Sequence, residues 1–299
     1  MAVHLKEVPV VRRSSSMIRR NVSVRLKERL SVHRRIALGT WAPPDDPTVH
    51  GTLRLRAEPV LDWVTRARAA TGQRITLTSV VAKAMGIVLQ EVPDANVLIR
   101  WGRIYLRQDI DIFVHVAFKD PVTGKHDLSG VTLRGVDSRT VSELAAELEA
   151  SVSRVRQDDD PSMKATRRRM RQLPQVLMRR MLKSLSFASY TLNLDLSGIG
   201  SPRDPFGGVA ITNVGALGLD TAYVPLVPYT RLPIFLAMGA VCDEPVVENG
   251  EVVPAKVLAL HASFDHRILD GAQVARMANI LRRVFANPDG ELGPADPSA

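Results

Sequence analysis

The stretch SFDHRILDGA, Ser263–Ala272, places a histidine four residues before an aspartate, with a glycine directly after it. An apolar run, VLALHASF (Val257–Phe264), precedes the pair, and VARMANILRRVF (Val274–Phe285), with helical spacing, follows it. The run reads as a strand that delivers His266 to a strand–loop junction, where a rigid support exposes a working side chain. Asp270 stands where the helix starts and suits the N-cap, accepting from the amides of the first turn. It could instead hold the loop by pairing with an arginine, and Gly271 leaves room for close approach of the helix start. A neutral imidazole, with an ordinary pKa of about 6.5, takes a proton from a thiol, hydroxyl or amine near neutral pH. On spacing alone the plainer reading leads: His266 is a satisfied junction residue and Asp270 only a cap.

Working outward, the chain reads as alternating strands and helices. Leu53 and Leu55 alternate with Arg54 and Arg56, the period of a half-exposed strand within Thr48–Arg56. Glu58–Ala70 has helical spacing and stops near Gly72; Leu77–Glu91 is a more buried helix, capped by Thr78 or Ser79 and ended before Pro93. Asp109–Phe118 and Leu128–Leu133 read as strands and Ser138–Arg156 as an amphipathic helix. The segment 162–186 is helical in character but interrupted at Pro174. Gly207–Asn213 is a strand that begins at a glycine pair, Ile234–Val241 and Val257–Phe264 are further strands, and Asp270–Phe285 is the last helix. Residues 1–30 form a basic N-terminal arm, and 288–299, rich in Pro, Gly and Asp, are expected to be disordered. No repeat or long linker divides the rest, so one mixed α/β domain is expected over 31–287.

Composition narrows the partners. The hydrophobic share of 45% suits a protein with a real core, no segment approaches the roughly 18 apolar residues of a membrane span, and the N-terminus lacks the apolar middle of a signal peptide. A single cysteine, Cys242, excludes an internal disulfide and points to a reducing cytoplasm. Seven scattered histidines without a His/Cys cluster argue against a metal. The net charge of +9 is uneven: Pro161–Leu194 holds no acidic residue but carries Lys164, Arg167, Arg168, Arg169, Arg171, Arg179, Arg180 and Lys183. Such a patch attracts phosphates, acidic proteins or anionic lipid, or is simply a solvated face. His115 and His261 fall within strands, where packing is the default, and Cys242 has no evident base partner. Gly215-Ala216-Leu217-Gly218 does not follow the strand–GxGxxG–helix order of a dinucleotide site.

The residues around His266 shift these odds. SFDHRILDGA closely resembles the active-site motif of the acyltransferase (E2) catalytic domains of 2-oxoacid dehydrogenase complexes, relatives of chloramphenicol acetyltransferase. GGVAITNVGALG (Gly207–Gly218), GQRITLTSVVAKAMGIVLQEVPDANVLI (Gly72–Ile99), DIDIFVHVAF and LSGVTLRGVDSRTVSELAAEL also fall in family order. The resemblance covers roughly residues 30–287 with one gap. It implies a two-layer α/β sandwich of a mixed β-sheet and helices, chloramphenicol acetyltransferase-like. It implies that His266 deprotonates a thiol, that of coenzyme A, which attacks an acyl thioester. Asp270 would hold the active-site loop through an arginine, for which Arg34 or Arg35 is the candidate. The family's oxyanion-binding serine falls on Thr212, which keeps the hydroxyl while its methyl stiffens χ1. Asn213 and Gly271 would line the substrate. Coenzyme A or acyl-CoA is then a substrate, with no metal, in a homotrimer whose active site lies between subunits.

Three departures qualify that reading. Family members usually carry lipoyl domains ahead of the catalytic domain, whereas this sequence starts almost directly at it, so a lipoyl or acyl-carrier domain is expected only from another chain. The basic insertion at about 161–205 offers an apolar face (Met170, Leu173, Val176, Leu177, Met181, Leu182 and Leu185), whose default is core packing; docking an acidic carrier or lying on an anionic membrane are the alternatives, and a membrane partner is not expected. The end, ANPDGELGPADPSA, has only Leu292 to offer where the family's cores are fastened by an apolar C-terminus, so no closed cage is expected. The competing function is a catalytically weak or inactive trimeric scaffold that binds a partner through its basic segment. Nucleic-acid binding is weaker still, since few aromatics accompany the arginines.

Overall fold

Strand β1 (Thr48–Arg56) forms as its alternation requires, with Leu53 and Leu55 turned to the core and Arg54 and Arg56 to water. The computed structural model describes residues 46–119, 126–156, 175–199 and 202–296. The described residues from Pro47 onward make one compact unit, and the expected start near residue 31 lies outside the described residues. After β1 come α1 (Glu58–Thr71), α2 (Leu77–Glu91), a ribbon of β2 (Val97–Arg100) and β3 (Arg103–Leu106), then β4 (Ile112–Lys119) and β5 (His126–Leu133). Next are α3 (Val141–Arg156), α4 (Gln175–Ser186), β6 (Val209–Asn213), β7 (Ile234–Glu248), β8 (Glu251–Asp265), α5 (Gly271–Ala286) and α6 (Pro288–Leu292).

Six strands build one sheet in the order β1-β8-β7-β6-β4-β5. The β4–β6 and β6–β7 pairs are parallel and the rest antiparallel, so the sheet is mixed. One face carries Ile112, Ile211, Leu236 and Leu260, which share a single buried cluster with Met85 and Leu89 of α2 and Val284 of α5. Alternate residues of a strand face opposite ways, so the other face carries Phe113, Ala210 and Phe235, packed under Phe206, Val224, Leu226 and Leu232. The α/β sandwich of a mixed sheet and a helical layer is therefore borne out.

Several boundaries differ from expectation, each for a local reason. Helix α2 is capped by Thr76, whose hydroxyl accepts from Ser79 N while Ser79 Oγ accepts from Thr76 N; Thr78 and Ser79 lie inside the helix. Strands β7 and β8 run well past Val241 and before Val257, joined at Asn249-Gly250, both with positive φ (52° and 87°). An Asn-Gly pair between alternating residues is the signature of such a two-residue hairpin turn. The ribbon at 97–106 was not anticipated. The end expected to be disordered instead folds: Asn287 accepts from Gly290 N, α6 follows, and Leu292 and Ala295 are buried. Trp63 Nε1 donates to the Gly293 carbonyl at 3.0 Å, so α6 is docked on α1. Of the basic insertion, α4 is described over Gln175–Ser186; residues 157–174, with the expected interruption at Pro174, and 200–201, like the arm, lie outside the described residues.

Gly207 marks where β6 must begin. Its φ is +62°, and a Cβ there would overlap the Asp111 carbonyl. Only a glycine both adopts this backbone without strain and lets the neighbouring strand approach so closely.

On the second face, His115 stacks on Phe235 (5.1 Å between centroids, 25°) and meets the edge of Phe113 (4.9 Å). Its Nδ1 is buried without a hydrogen-bond partner. Burial holds its pKa below the usual value, outweighing a raising contribution from the Ile211 backbone. The folded state then binds fewer protons than the unfolded state below about pH 6.5, so this residue removes stability as pH falls through that range. Replacing it by the similarly shaped, non-titrating phenylalanine should flatten the fall. We expect the thermal midpoint of His115→Phe to drop less than that of the wild type between neutral pH and pH of about 5.5. Parallel pH dependences would show that His115 titrates alike in both states.

Candidate active site

Strand β8 ends at Asp265, and the chain turns at once: Ile268 N and Leu269 N both donate to the Asp265 carbonyl at 3.0 Å. The Asp265 side chain, itself buried, accepts from Arg267 N at 3.0 Å and from Arg267 Nε and Nη2 at 2.9 and 2.5 Å. The bond to this carboxylate also raises the Arg267 pKa. Leu269 is fully buried and anchors the far side of the turn. His266 sits between these fixed points. Its backbone N–H donates to the Pro47 carbonyl at 2.9 Å, and its Nδ1 lies 2.7 Å from the Leu269 carbonyl.

That last contact fixes the tautomer. A carbonyl oxygen only accepts, so Nδ1 carries the hydrogen and, in the neutral ring, Nε2 keeps the lone pair. The side chain is exposed, which leaves Nε2 open to a ligand. This is the geometry a general base needs: the ring held by one nitrogen, with the other offered outward.

Asp270 is the N-cap of α5. Its Oδ1 accepts from Ala272 N (2.8 Å) and Gln273 N (3.3 Å), while Gln273 Oε1 accepts from Asp270 N (2.9 Å), closing a capping box. Arg34 and Arg35 lie outside the described residues. Among the described residues, the carboxylate that ties an arginine into this turn is Asp265, which sequence reading passed over. Gly271 does not serve close approach within the chain: a Cβ there would meet nothing within 4 Å. Asn213 spends its amide locally, its Nδ2 donating to Thr78 Oγ1 (3.2 Å) and its Oδ1 accepting from Ala216 N (3.0 Å). It fixes the turn after β6 to the start of α2.

Thr212 lies on the second face of the sheet, half-buried. The register runs Thr52 opposite His261, His261 opposite Ala237, and Ala237 opposite Thr212, across β1, β8, β7 and β6. His266 lies past the C-terminal end of β8, five residues beyond the His261 position that faces this row. Two strand spacings of ~4.8 Å and five residues at ~3.3 Å each put His266 roughly 19 Å from Thr212 within one chain. The fold therefore does not bring them together in a single chain.

The row that contains Thr212 holds a polar chain that sequence reading missed. His261 Nε2 is 2.9 Å from the Asp220 carbonyl and must donate to it, so in the neutral ring Nδ1 accepts from Thr52 Oγ1 at 3.0 Å. Thr52 Oγ1 in turn accepts from the Tyr223 hydroxyl at 2.5 Å. His261 is thus buried and satisfied, as its strand position suggested. Next to it, His50 Nδ1 is 2.8 Å from Ser263 Oγ. These residues lie far apart in the chain, and no local pattern announces them. Cys242 donates its thiol to Asp220 Oδ1 at 3.3 Å, and that bond together with desolvation pushes its pKa up, which disfavours the thiolate.

Comparison with known proteins gives this geometry a context. A sequence model of the 2-oxoacid dehydrogenases acyltransferase (catalytic domain) matches residues 45–160 and 203–292, passing over most of the basic insertion. The acetyltransferase component of the pyruvate dehydrogenase complex of Staphylococcus aureus is 38% identical over 79 residues, which is 26% of this chain and 18% of that protein. A solved dihydrolipoamide acetyltransferase of Azotobacter vinelandii, from a study of a serine, a histidine and an asparagine in its catalytic mechanism, is 20% identical. It aligns with a TM-score of 0.61 over 87% of each chain. A truncated catalytic core of the 2-oxoacid dehydrogenase complex of Thermoplasma acidophilum aligns at 0.56, with 18% identity, over 87% of this chain and 98% of that one. The strand order, the turn that holds His266 and the extent of the family match lead to one assignment: this chain belongs to the 2-oxoacid dehydrogenase acyltransferase family, through its catalytic domain.

Proposed function

We propose that the protein is a coenzyme-A-dependent acyltransferase of the E2 type, acting as a homotrimer with its active site between subunits. The observation that carries the reading is the single hydrogen bond from His266 Nδ1–H to the Leu269 carbonyl, which leaves Nε2 free and exposed. Family membership and the similarity to dihydrolipoamide acetyltransferases support the substrate class. The separation of His266 from Thr212 supports a second chain, since one copy has to supply the base and its neighbour the hydroxyl.

The chemistry follows from the two groups. His266 Nε2 takes the proton of the acceptor thiol, coenzyme A or a dihydrolipoyl group, and the ring becomes an imidazolium whose Nδ1–H remains on the Leu269 carbonyl. The thiolate sulfur attacks the carbonyl carbon of the acyl thioester and forms a tetrahedral oxyanion. The hydroxyl of the neighbour's Thr212 donates to that oxygen, which preorganised donors stabilise more in the transition state than in the ground state. Collapse re-forms the carbonyl and breaks the original carbon–sulfur bond; the leaving sulfur takes the proton back from Nε2. Asp270 and Asn213 act as positioning residues, the first starting α5 beside the base and the second holding the turn after Thr212. The open space at Gly271 suits a substrate or a neighbouring chain passing the start of α5. The lipoyl or other carrier thiol would come from a different chain. The scaffold reading is not favoured, because the turn retains what a base requires.

Two substitutions test the assignment. His266→Ala should lower acyl exchange between acyl-CoA thioesters and dihydrolipoamide by at least about 100-fold while folding and assembly persist; a loss of only a few-fold would remove His266 from the base role. Thr212→Val should cost on the order of 100-fold in kcat with little change in KM, whereas Thr212→Ser should stay within a few-fold of the wild type. Equal rates for the valine and serine variants would show that the hydroxyl donates to nothing in the transition state.

A further inference from the structure

The ribbon β2–β3 and the turn that follows α4 form one exposed surface that the acyltransferase reading does not use. The Trp101 ring meets Phe187 edge-on at 5.9 Å, Arg100 Nε donates to the Thr191 carbonyl at 3.3 Å, and the Arg100 guanidinium lies 5.1 Å from the Tyr105 ring. On the ribbon, Trp101 is 65% exposed, Leu106 60% and Ile104 56%. Beside it, Leu177, Phe187, Leu192 and Leu194 are exposed as well, so the apolar positions of the insertion that are described here do not all pack into the core.

Two features say what covers this surface. The first is charge. Arg103, Arg179, Arg180 and Lys183 are exposed around it, and neither Val97–Gln108 nor Gln175–Leu194 contains an acidic residue. Of the carboxylates that flank these stretches, Asp109 is exposed just after the ribbon and Asp195 accepts from Ser197 N at 2.8 Å. The second is geometry. Successive residues of a strand point to opposite faces, and all four residues of the outer strand β3 are exposed, whereas β2 is partly buried and its Val97 fully so.

We propose that the β2–β3 ribbon and the α4 turn are a peripheral binding face for anionic lipid bilayers. Tryptophan and tyrosine favour the headgroup level, apolar side chains enter the acyl boundary, and arginine and lysine meet the anionic headgroups. Helix α4, with 12 residues, lies on such a surface rather than across it. No helix among the described residues is long and apolar enough to cross a membrane.

The test is co-sedimentation of the full chain with vesicles of phosphatidylcholine alone and of phosphatidylcholine mixed with phosphatidylglycerol. Binding is expected to the mixed vesicles and not to the neutral ones. The double variants Trp101→Ser/Phe187→Ser and Arg179→Glu/Arg180→Glu change only exposed side chains, and each should weaken binding at least about tenfold. Absence of binding to the mixed vesicles overturns the proposal. So does full binding by the Trp101/Phe187 variant, which would reduce the effect to long-range charge. A change in the solution mass of that variant would also overturn it, by showing the patch to be a contact between copies of the chain.

Discussion

The hydrogen bond from His266 Nδ1 to the Leu269 carbonyl, 2.7 Å long, is the constraint on which the functional geometry rests. It selects one tautomer, orients the ring and leaves a single nitrogen for chemistry. The bond exists because the turn is rigid. Buried Leu269 and buried Asp265 pin its two ends, and the exposed Arg267 side chain folds back to bind the Asp265 carboxylate. A histidine on a loose loop would sample several rotamers, and each would offer a different nitrogen. Here strand β8 delivers the residue, the turn aims it, and the capping box at Asp270 starts α5 directly behind it.

The second constraint is the sheet. Strand register cannot slip without turning the core-facing set of side chains outward, so the positions of His266 and Thr212 along β8 and β6 are fixed relative to one another. They fall at opposite ends. Under the proposed mechanism the two groups are halves of one acyl-transfer site, so each chain would work beside a copy of itself. The polar row through Thr52, His261 and Tyr223 lies on the same face as Thr212, two strands away, and its groups hydrogen-bond one another.

Much of this was legible in the residues. The strand–turn–helix around His266, the N-cap at Asp270 and the strand beginning at Gly207-Gly208 follow from local patterns and appear where those patterns put them. What escaped had identifiable causes. Val246–Val253 carries the hairpin signature Asn249-Gly250, which the strands read as Ile234–Val241 and Val257–Phe264 stopped short of; Pro245 and Pro254 lie opposite each other in the β7–β8 ladder. The segment after Asn287 looked disordered by composition, but its Asn, Pro and Gly are capping residues for α6, and Leu292 finds a place in the core. Asp265 was overlooked because its role depends on burial, which no spacing reveals. The partnership of Tyr223, Thr52 and His261 depends on three distant segments meeting across the sheet.

The measurement that bears most directly on an intersubunit site is complementation. Chains with His266→Ala and chains with Thr212→Val would be produced together, and the mixed assemblies assayed for acyl exchange. If base and hydroxyl come from different chains, some junctions in the mixture pair an intact His266 with an intact Thr212. Random assembly of equal amounts then restores up to about a quarter of wild-type turnover. A mixture no more active than either variant alone would mean that both groups serve from one chain, and would contradict the account.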